Sequence, residues 1–380
     1  VLLCRGFCTN LVVAVRCENI SKIVMHILRK AFSDTIQIKT EKEPISMVTI
    51  KQIAEMAGVS TTTVSNVLHK KNARVSSETI EKIEKLLMEN NYIPRLGLNA
   101  LTNKNSKIIS ILINTPVFAS GSVYESPFYG RIIGRLEELL RKKGYYIMIF
   151  SDKNVEEIEK MTLGWNVDGI IAISMPFAYC KKISALSDKP MVAIDMGELP
   201  DEKEKFCLVT SEDEKAGNTM CEYLISHGAK RIIYMANDKQ GADYRRYLGA
   251  ERAAENKGCE LETRWLPAEY EKRQTVYKEL LRYAGTDTAL FFSTDRNAAE
   301  MISFFHRNHV RVPEDISVAG IDDDVFATIV YPTITTMRID VEEKAEAAVN
   351  ILMKLLRGEE CSPYIYKTKV QLVERESVKL

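Results

Sequence analysis

The 380-residue sequence has no uncharged apolar run of about 18 residues, so no membrane-spanning helix is expected. It has no net charge either, because 52 lysines and arginines balance 52 aspartates and glutamates. That excludes a uniformly basic nucleic-acid coat and a uniformly acidic tail. There is no CxxC pair, and the five histidines are scattered with no zinc-binding spacing, so no metal and no cofactor are expected. No Walker A loop, no GxGxxG after a strand, no HExxH and no GxSxG occurs, so the commonest catalytic motifs are missing.

The composition is that of an ordinary globular chain, and its length calls for two or three domains rather than one core. The zero net charge is a cancellation. Residues 1–46 carry +3, residues 47–106 carry +3, and the remaining 274 carry −6. A basic front and an acidic body point to a nucleic-acid partner for the front.

Residues 1–46 hold Cys4, Cys8 and Cys17, and their longest apolar run, 11–15, is too short for a signal-peptide core. They read as a non-native or disordered N-terminal extension, with Met47 as the natural start. Cys180, Cys207, Cys221, Cys259 and Cys361 lie in apolar stretches and read as buried free thiols of a reducing cytoplasm.

The basic front, residues 47–93, reads as an all-α helix-turn-helix headpiece. Thr49 and Gln52 form a capping box that starts a helix at Ile50, with Ile53, Ala54 and Ala57 on one face. Gly58 permits a tight turn, and Ser60 caps a second helix whose inner face is Val64, Val67 and Leu68. A third helix, capped by Ser76, is expected over 77–90. The second helix exposes Thr61, Thr62, Ser65, Asn66 and His69, short polar groups able to meet base edges or phosphates.

AGVSTTTVSNVL, then VSSETIEKI and NNYIP, resemble the N-terminal signature of the LacI/GalR family of bacterial transcription regulators. The resemblance implies that Thr61, Thr62 and Asn66 read operator bases, while Thr49, Ser60, Thr63 and Ser65 are caps or phosphate contacts. Asn66 stands where many relatives carry arginine; asparagine prefers adenine, so the operator is expected to differ there. The resemblance also makes 94–106 a hinge helix that folds on DNA, with Leu101 wedged into the minor groove. Gly97 and Arg95 depart from the family pattern in this segment.

Beyond Lys107, apolar runs at 108–113, 146–150, 169–173, 191–194, 231–235, 289–292 and 316–319 alternate with amphipathic stretches at 129–143, 155–161, 249–257 and 298–308. One last strand-like segment spans 366–374. Two such series predict an α/β body, 107–380, of two parallel-sheet lobes with a ligand cleft at the strands' carboxyl ends. Asp195, Asp295 and Asp322 each follow a predicted strand, and three carboxylates there suit a hydroxyl-rich ligand.

The family resemblance continues through VDGII (167–171), DEKAG (213–217), RYLG (246–249), VPEDISVAGIDD (312–323) and TITT (333–336). It implies a periplasmic-binding-protein-like body. SPFY (126–129) is similar to the family's NPFF element, which makes Phe128 and Tyr129 an apolar wall of the effector cleft and Arg246 and Asp322 its polar contacts. Thr294 replaces a usual asparagine beside Asp295, and Ile339 lies where some sugar-binding members have glutamine. The function so implied is a cytoplasmic, homodimeric repressor that binds a palindromic operator in double-stranded DNA under control of a sugar-like effector. The alternative is a sugar-acting enzyme or sugar-binding protein with the same α/β body.

Overall fold

Thr49 has an extended backbone and starts the first helix. In the computed structural model, which describes residues 48–68, 71, 73–90, 92, 106–114, 123–200 and 203–379, its side chain accepts from the Gln52 N–H at 3.3 Å, while Gln52 Oε1 accepts from the Thr49 N–H at 2.8 Å. Both arms of the capping box therefore form over α1 (Ile50–Ala57). Gly58 ends that helix in the left-handed region, φ 71°, which glycine adopts without a Cβ penalty. Ser60 Oγ accepts from the Thr63 N–H at 3.1 Å to start α2 (Thr61–Leu68), and Ser76 does the same for α3 (Ser77–Glu89). Ile53, Ala54, Ala57, Val64, Val67 and Ile83 form the core of this unit.

The chain divides into two compact units, residues 1–95 and 96–380. In the second it runs β1 (Ile108–Asn114), α4 (Pro127–Lys142), β2 (Tyr146–Asp152), α5 (Val155–Gly164), β3 (Gly169–Ile173), α6 (Phe177–Ser187), β4 (Met191–Ile194) and β5 (Cys207–Ser211). Then come α7 (Asp213–Ser226), β6 (Arg231–Ala236), α8 (Gly241–Lys257), β7 (Glu260–Trp265), α9 (Tyr270–Leu280), β8 (Thr288–Phe292), α10 (Asp295–Arg307), β9 (Ser317–Asp322), α11 (Val325–Ile329) and β10 (Thr335–Ile339). The chain closes with α12 (Val341–Leu356), β11 (Ile365–Thr368) and β12 (Val370–Val373).

Two six-stranded sheets result, in the orders β11-β5-β4-β3-β1-β2 and β12-β10-β9-β8-β6-β7. All pairings are parallel except β12 on β10. β3, β5 and β8 are buried at every position, because helices cover both faces of each sheet. Strand order reverses between β1 and β3 and again between β6 and β8, so each lobe opens a crevice at its strands' carboxyl ends. The chain passes between lobes after β5, after β10 and after β11. The second passage returns α12 to the first lobe, where Val341, Ala345, Ala348 and Leu352 pack with Ile111 and Ile171.

Several elements differ from expectation. The single strand expected over 366–374 is two, β11 in the first lobe and β12 in the second, parted at Lys369. Strands β5, β7 and β10 and helices α9, α11 and α12 were not expected; β7 is a half-exposed edge whose sequence ELETRW carries three charges. Helix α8 starts eight residues before the expected 249, because its first turns bury Arg245 and Arg246 in place of apolar residues. The five body cysteines are not all free. Cys207 and Cys361 form a disulfide with Cα atoms 6.4 Å apart, leaving Cys180, Cys221 and Cys259 as thiols. The pairing of β11 with β5 brings together two cysteines 154 residues apart, a distance that spacing could not reveal.

Helices α7 and α8 touch backbone to backbone. A Cβ on Gly217 would lie 1.8 Å from the Arg246 carbonyl oxygen, and one on Gly249 would lie 1.8 Å from that of Glu214. Neither clash can be relieved by turning a side chain, so any larger residue must force the helices apart. Gly249→Ala is therefore expected to cost at least about 1–3 kcal/mol, the usual penalty of overpacking. Urea unfolding measures this; a loss below about 0.5 kcal/mol, within the range of neutral surface changes, would show that the contact is not obligatory.

Candidate functional site

On α2 the sequence separates capping groups from free ones. Thr63 Oγ1 lies 2.9 Å from Ser60 Oγ, so this pair holds the helix start, as Thr49 holds that of α1. Thr61 and Thr62 are exposed, Ser65 and Asn66 half-buried. None of these four side chains has a hydrogen-bond partner among the described residues, so their donors and acceptors remain available. Leu101, like nearly all of the expected hinge 94–106, lies outside the described residues, as do residues 1–46 and His69.

In the first lobe, Ser126 precedes α4 and places Phe128 and Tyr129 on its first turn. Their rings meet edge to face with centroids 5.1 Å apart. The Tyr129 hydroxyl donates to Ser174 Oγ at 2.9 Å, at the carboxyl end of β3. Burial pushes its pKa up to about 12, so it acts as a neutral donor. Asp195, one residue beyond β4 and in the left-handed region at φ 47°, accepts from Lys344 Nζ at 2.8 and 2.6 Å. That ammonium also lies 5.6 Å from the Phe128 ring centroid. Phe128, Tyr129, Ser174, Asp195 and Lys344 thus form one wall, with the carboxylate neutralised by the lysine.

In the second lobe the polar cluster is built on Arg246 of α8. Its Nη1 donates to the Ser293 carbonyl at 2.7 Å and its Nε to Asp213 Oδ1 at 3.1 Å. Asp243 Oδ1 lies 3.8 Å from Nη1, and Asp322 Oδ1 the same distance from Nη2. Burial acts to lower the pKa of this guanidinium, yet the three carboxylates raise it on balance. The Asp322 carboxylate accepts no hydrogen bond from any described residue, and its side chain is 22% exposed. Burial raises its pKa well above the carboxylate range, against the pull of Arg246. It also holds an unusual backbone, φ 128°, the sort of strain that persists where surrounding structure enforces it.

The three strand-end aspartates therefore differ. Asp322 is open to a ligand and Asp195 is half occupied. Asp295 does not face the cleft: it is fully buried, and its carboxylate accepts from Thr336 Oγ1 at 2.7 Å and from the Asp324 N–H at 3.3 Å. Gly320 makes the room, since a Cβ there would sit 2.1 Å from Asp295 Oδ1. Thr294 caps α10, accepting from the Asn297 N–H at 3.4 Å. Lys344 and Ser174 were not anticipated. The signal for Lys344 was a charge on the apolar stripe of α12, between Val341 and Ala348. Among the described residues, no group of three His, Cys, Asp or Glu side chains is arranged to hold a metal ion, and no helix is long and apolar enough to cross a membrane.

Burial raises the Asp295 pKa to about 7, so between the ordinary carboxylate value and that point the folded chain binds a proton that the unfolded chain has lost. Stability from this group therefore falls as pH rises through that window. Asp295→Asn removes the titration, so its stability relative to the parent is expected to climb from about pH 5 to about pH 8. Urea unfolding across that range measures it, and a gap that stays constant with pH would refute the assignment.

Residues 49–95 match the family model described as bacterial regulatory proteins, lacI family, and residues 221–378 the one described as periplasmic binding protein-like domain. The HTH-type transcriptional repressor PurR of Histophilus somni is 28% identical over 343 residues, covering 88% of this chain and 99% of that protein. PurR of Haemophilus influenzae is 29% identical over 346 residues, with 88% and 99% covered. The lac repressor dimer bound to operator and the anti-inducer ONPF is similar with a TM-score of 0.75 at 21% identity, covering 88% of this chain and 99% of that one. The CelR–cellobiose complex gives 0.64 at 22%, covering 87% and 99%. With both modules matched in order, and repressors matched over nearly their whole length, the chain belongs to the LacI/GalR family of bacterial DNA-binding transcription regulators.

Proposed function

We propose that this regulator is a cytoplasmic repressor that binds a palindromic operator as a homodimer and answers to an uncharged, hydroxyl-rich effector such as a sugar. The observation that carries the ligand class is Arg246 enclosed by Asp213, Asp243 and Asp322. An arginine so surrounded has little field left for a phosphate or carboxylate. The Asp322 carboxyl, by contrast, meets Arg246 only at 3.8 Å and accepts no hydrogen bond from it, so it can still pair with hydroxyls. Phe128 and Tyr129 supply the apolar wall on which a ring would rest, with Asp195 and Thr294 at its margins. Asp295 supports the site from behind. Thr61, Thr62 and Asn66 read operator bases, Ser65 meets phosphate, Ser60 and Thr63 orient their helix as Thr49 does the helix before it, and Leu101 wedges the minor groove. The lobes carry no catalytic role in this reading.

A thermal-shift screen of sugars, followed by operator binding with and without each hit, tests the proposal. A sugar hit that changes operator affinity and is not turned over is the expected result. No sugar hit, with a clear hit among nucleobases or amino acids, would overturn the ligand class. Leu101→Ala is expected to lower operator affinity by about tenfold or more, because without the wedge the DNA no longer bends to meet more of the protein surface; effector binding should stay intact. Operator titrations at several salt concentrations should also show a steep fall in affinity. Equal affinity for the Leu101 variant and its parent would remove the wedge.

A further inference from the structure

Arg245 and Arg246 are neighbours on α8, yet they reach in different directions. Arg246 engages the second lobe through the Ser293 carbonyl. Arg245 leaves that lobe. Its Nη1 donates to the carbonyls of Met196 and Gly197, at 3.3 and 3.2 Å, just beyond β4 in the first lobe. Its Nη2 donates to Thr210 Oγ1 on β5 at 3.4 Å. Nε and Nη2 also donate to Asp213 Oδ2, at 3.3 and 3.2 Å, where α7 begins after the chain has passed between lobes. Asp213 Oδ1 takes Arg246, so one carboxylate ties the two arginines together. The Gly241 N–H adds a bond to the Gly197 carbonyl at 3.1 Å.

We propose that Arg245 is the positioning residue that couples Arg246 to the angle between the lobes; its part in the effector response rests on the cleft reading above. Arg245 is a many-donor fork whose acceptors lie on three separate segments, and only the present arrangement of lobes satisfies all of them at once. Every one of its bonds is 3.2 Å or longer, the slack end of the N–H···O range, whereas Arg246 holds its carbonyl at 2.7 Å. The latch is the one of the two arginine clusters that spans the lobes, so opening the lobes breaks it while the bonds of Arg246 stay within the second lobe. A ligand that moves Arg246 pulls on Asp213 and so changes the fit of Arg245 against the first lobe. Water has little access to the fork, since the Arg245 side chain is 10% exposed and that of Asp213 1%.

The test needs neither effector nor operator, so its failure would leave the proposed function standing. Dyes placed by unnatural amino acids at exposed Ala185 on α6 and Ser303 on α10, in one protomer of the full-length dimer, report the interlobe distance by single-molecule energy transfer. Arg245→Leu is expected to lengthen and broaden that distance in the free protein. Arg245→Lys keeps a charge beside Asp213, and so protects folding, but cannot span Asp213 and the Met196 and Gly197 carbonyls together; it is expected to open the lobes as well. Arg252→Ala, on the same helix with only an exposed ion pair to Glu214, is expected to change nothing. An unaltered distance distribution in folded Arg245→Lys would overturn the proposal, as would an equal opening in Arg252→Ala.

Discussion

The rest of the body depends on two helices that cross at a pair of glycines. Where α7 crosses α8, Gly217 and Gly249 let each backbone rest on the other's carbonyls. That approach sets Asp213, on the first turn of α7, against two successive arginines of α8. Asp213 is then 2% exposed and can hold both. Move the helices apart by the width of a methyl group and the carboxylate no longer reaches either guanidinium. Arg246 would lose its anchor at the carboxyl ends of β8 and β9, and Arg245 its reach to β4 and β5. The geometry around Arg246 is therefore fixed by an absence of side chain at Gly217 and Gly249.

Charge inside this body serves placement more than stability. Buried ion pairs gain little over well-packed apolar residues, because desolvation offsets attraction. Yet Lys344–Asp195, Arg273–Glu300 and the Asp213 cluster are all nearly enclosed. What each provides is direction: a carboxylate or guanidinium with only one arrangement that satisfies it. Lys344 does this for Asp195 and at the same time stands over the Phe128 face, so the aromatic and the carboxylate of one wall share a single support.

How much of this was legible depended on whether the information was local. The capping box at Thr49, the turn at Gly58 and the cap at Ser60 rest on contacts within four residues, and each formed as the sequence implied. The alternation of buried strands and helices was legible for the same reason, since β3 and β8 are buried along their whole length. The failures were long-range. Helix α8 was read short because the first residues it buries, Arg245 and Arg246, are held by charge pairing and not by apolar contacts. Asp295 resembled Asp195 and Asp322 in sequence, each an aspartate after a strand, but only it has Gly320 beside it on the neighbouring strand to receive its carboxylate. Lys344 meets Asp195 across 149 residues, and no pattern in the chain announces that pairing.

The last passage between lobes has a consequence for assembly. The strand that completes the first sheet and the strand that completes the second are separated by Lys369 alone. Helix α12, which seals the first lobe's core, also arrives only after the whole second sheet but one strand has been made. Neither lobe can complete its sheet before residues 365–373 are present, so the first lobe does not finish folding ahead of the second. The earlier strands of both lobes therefore wait on this one segment to close their sheets' edges.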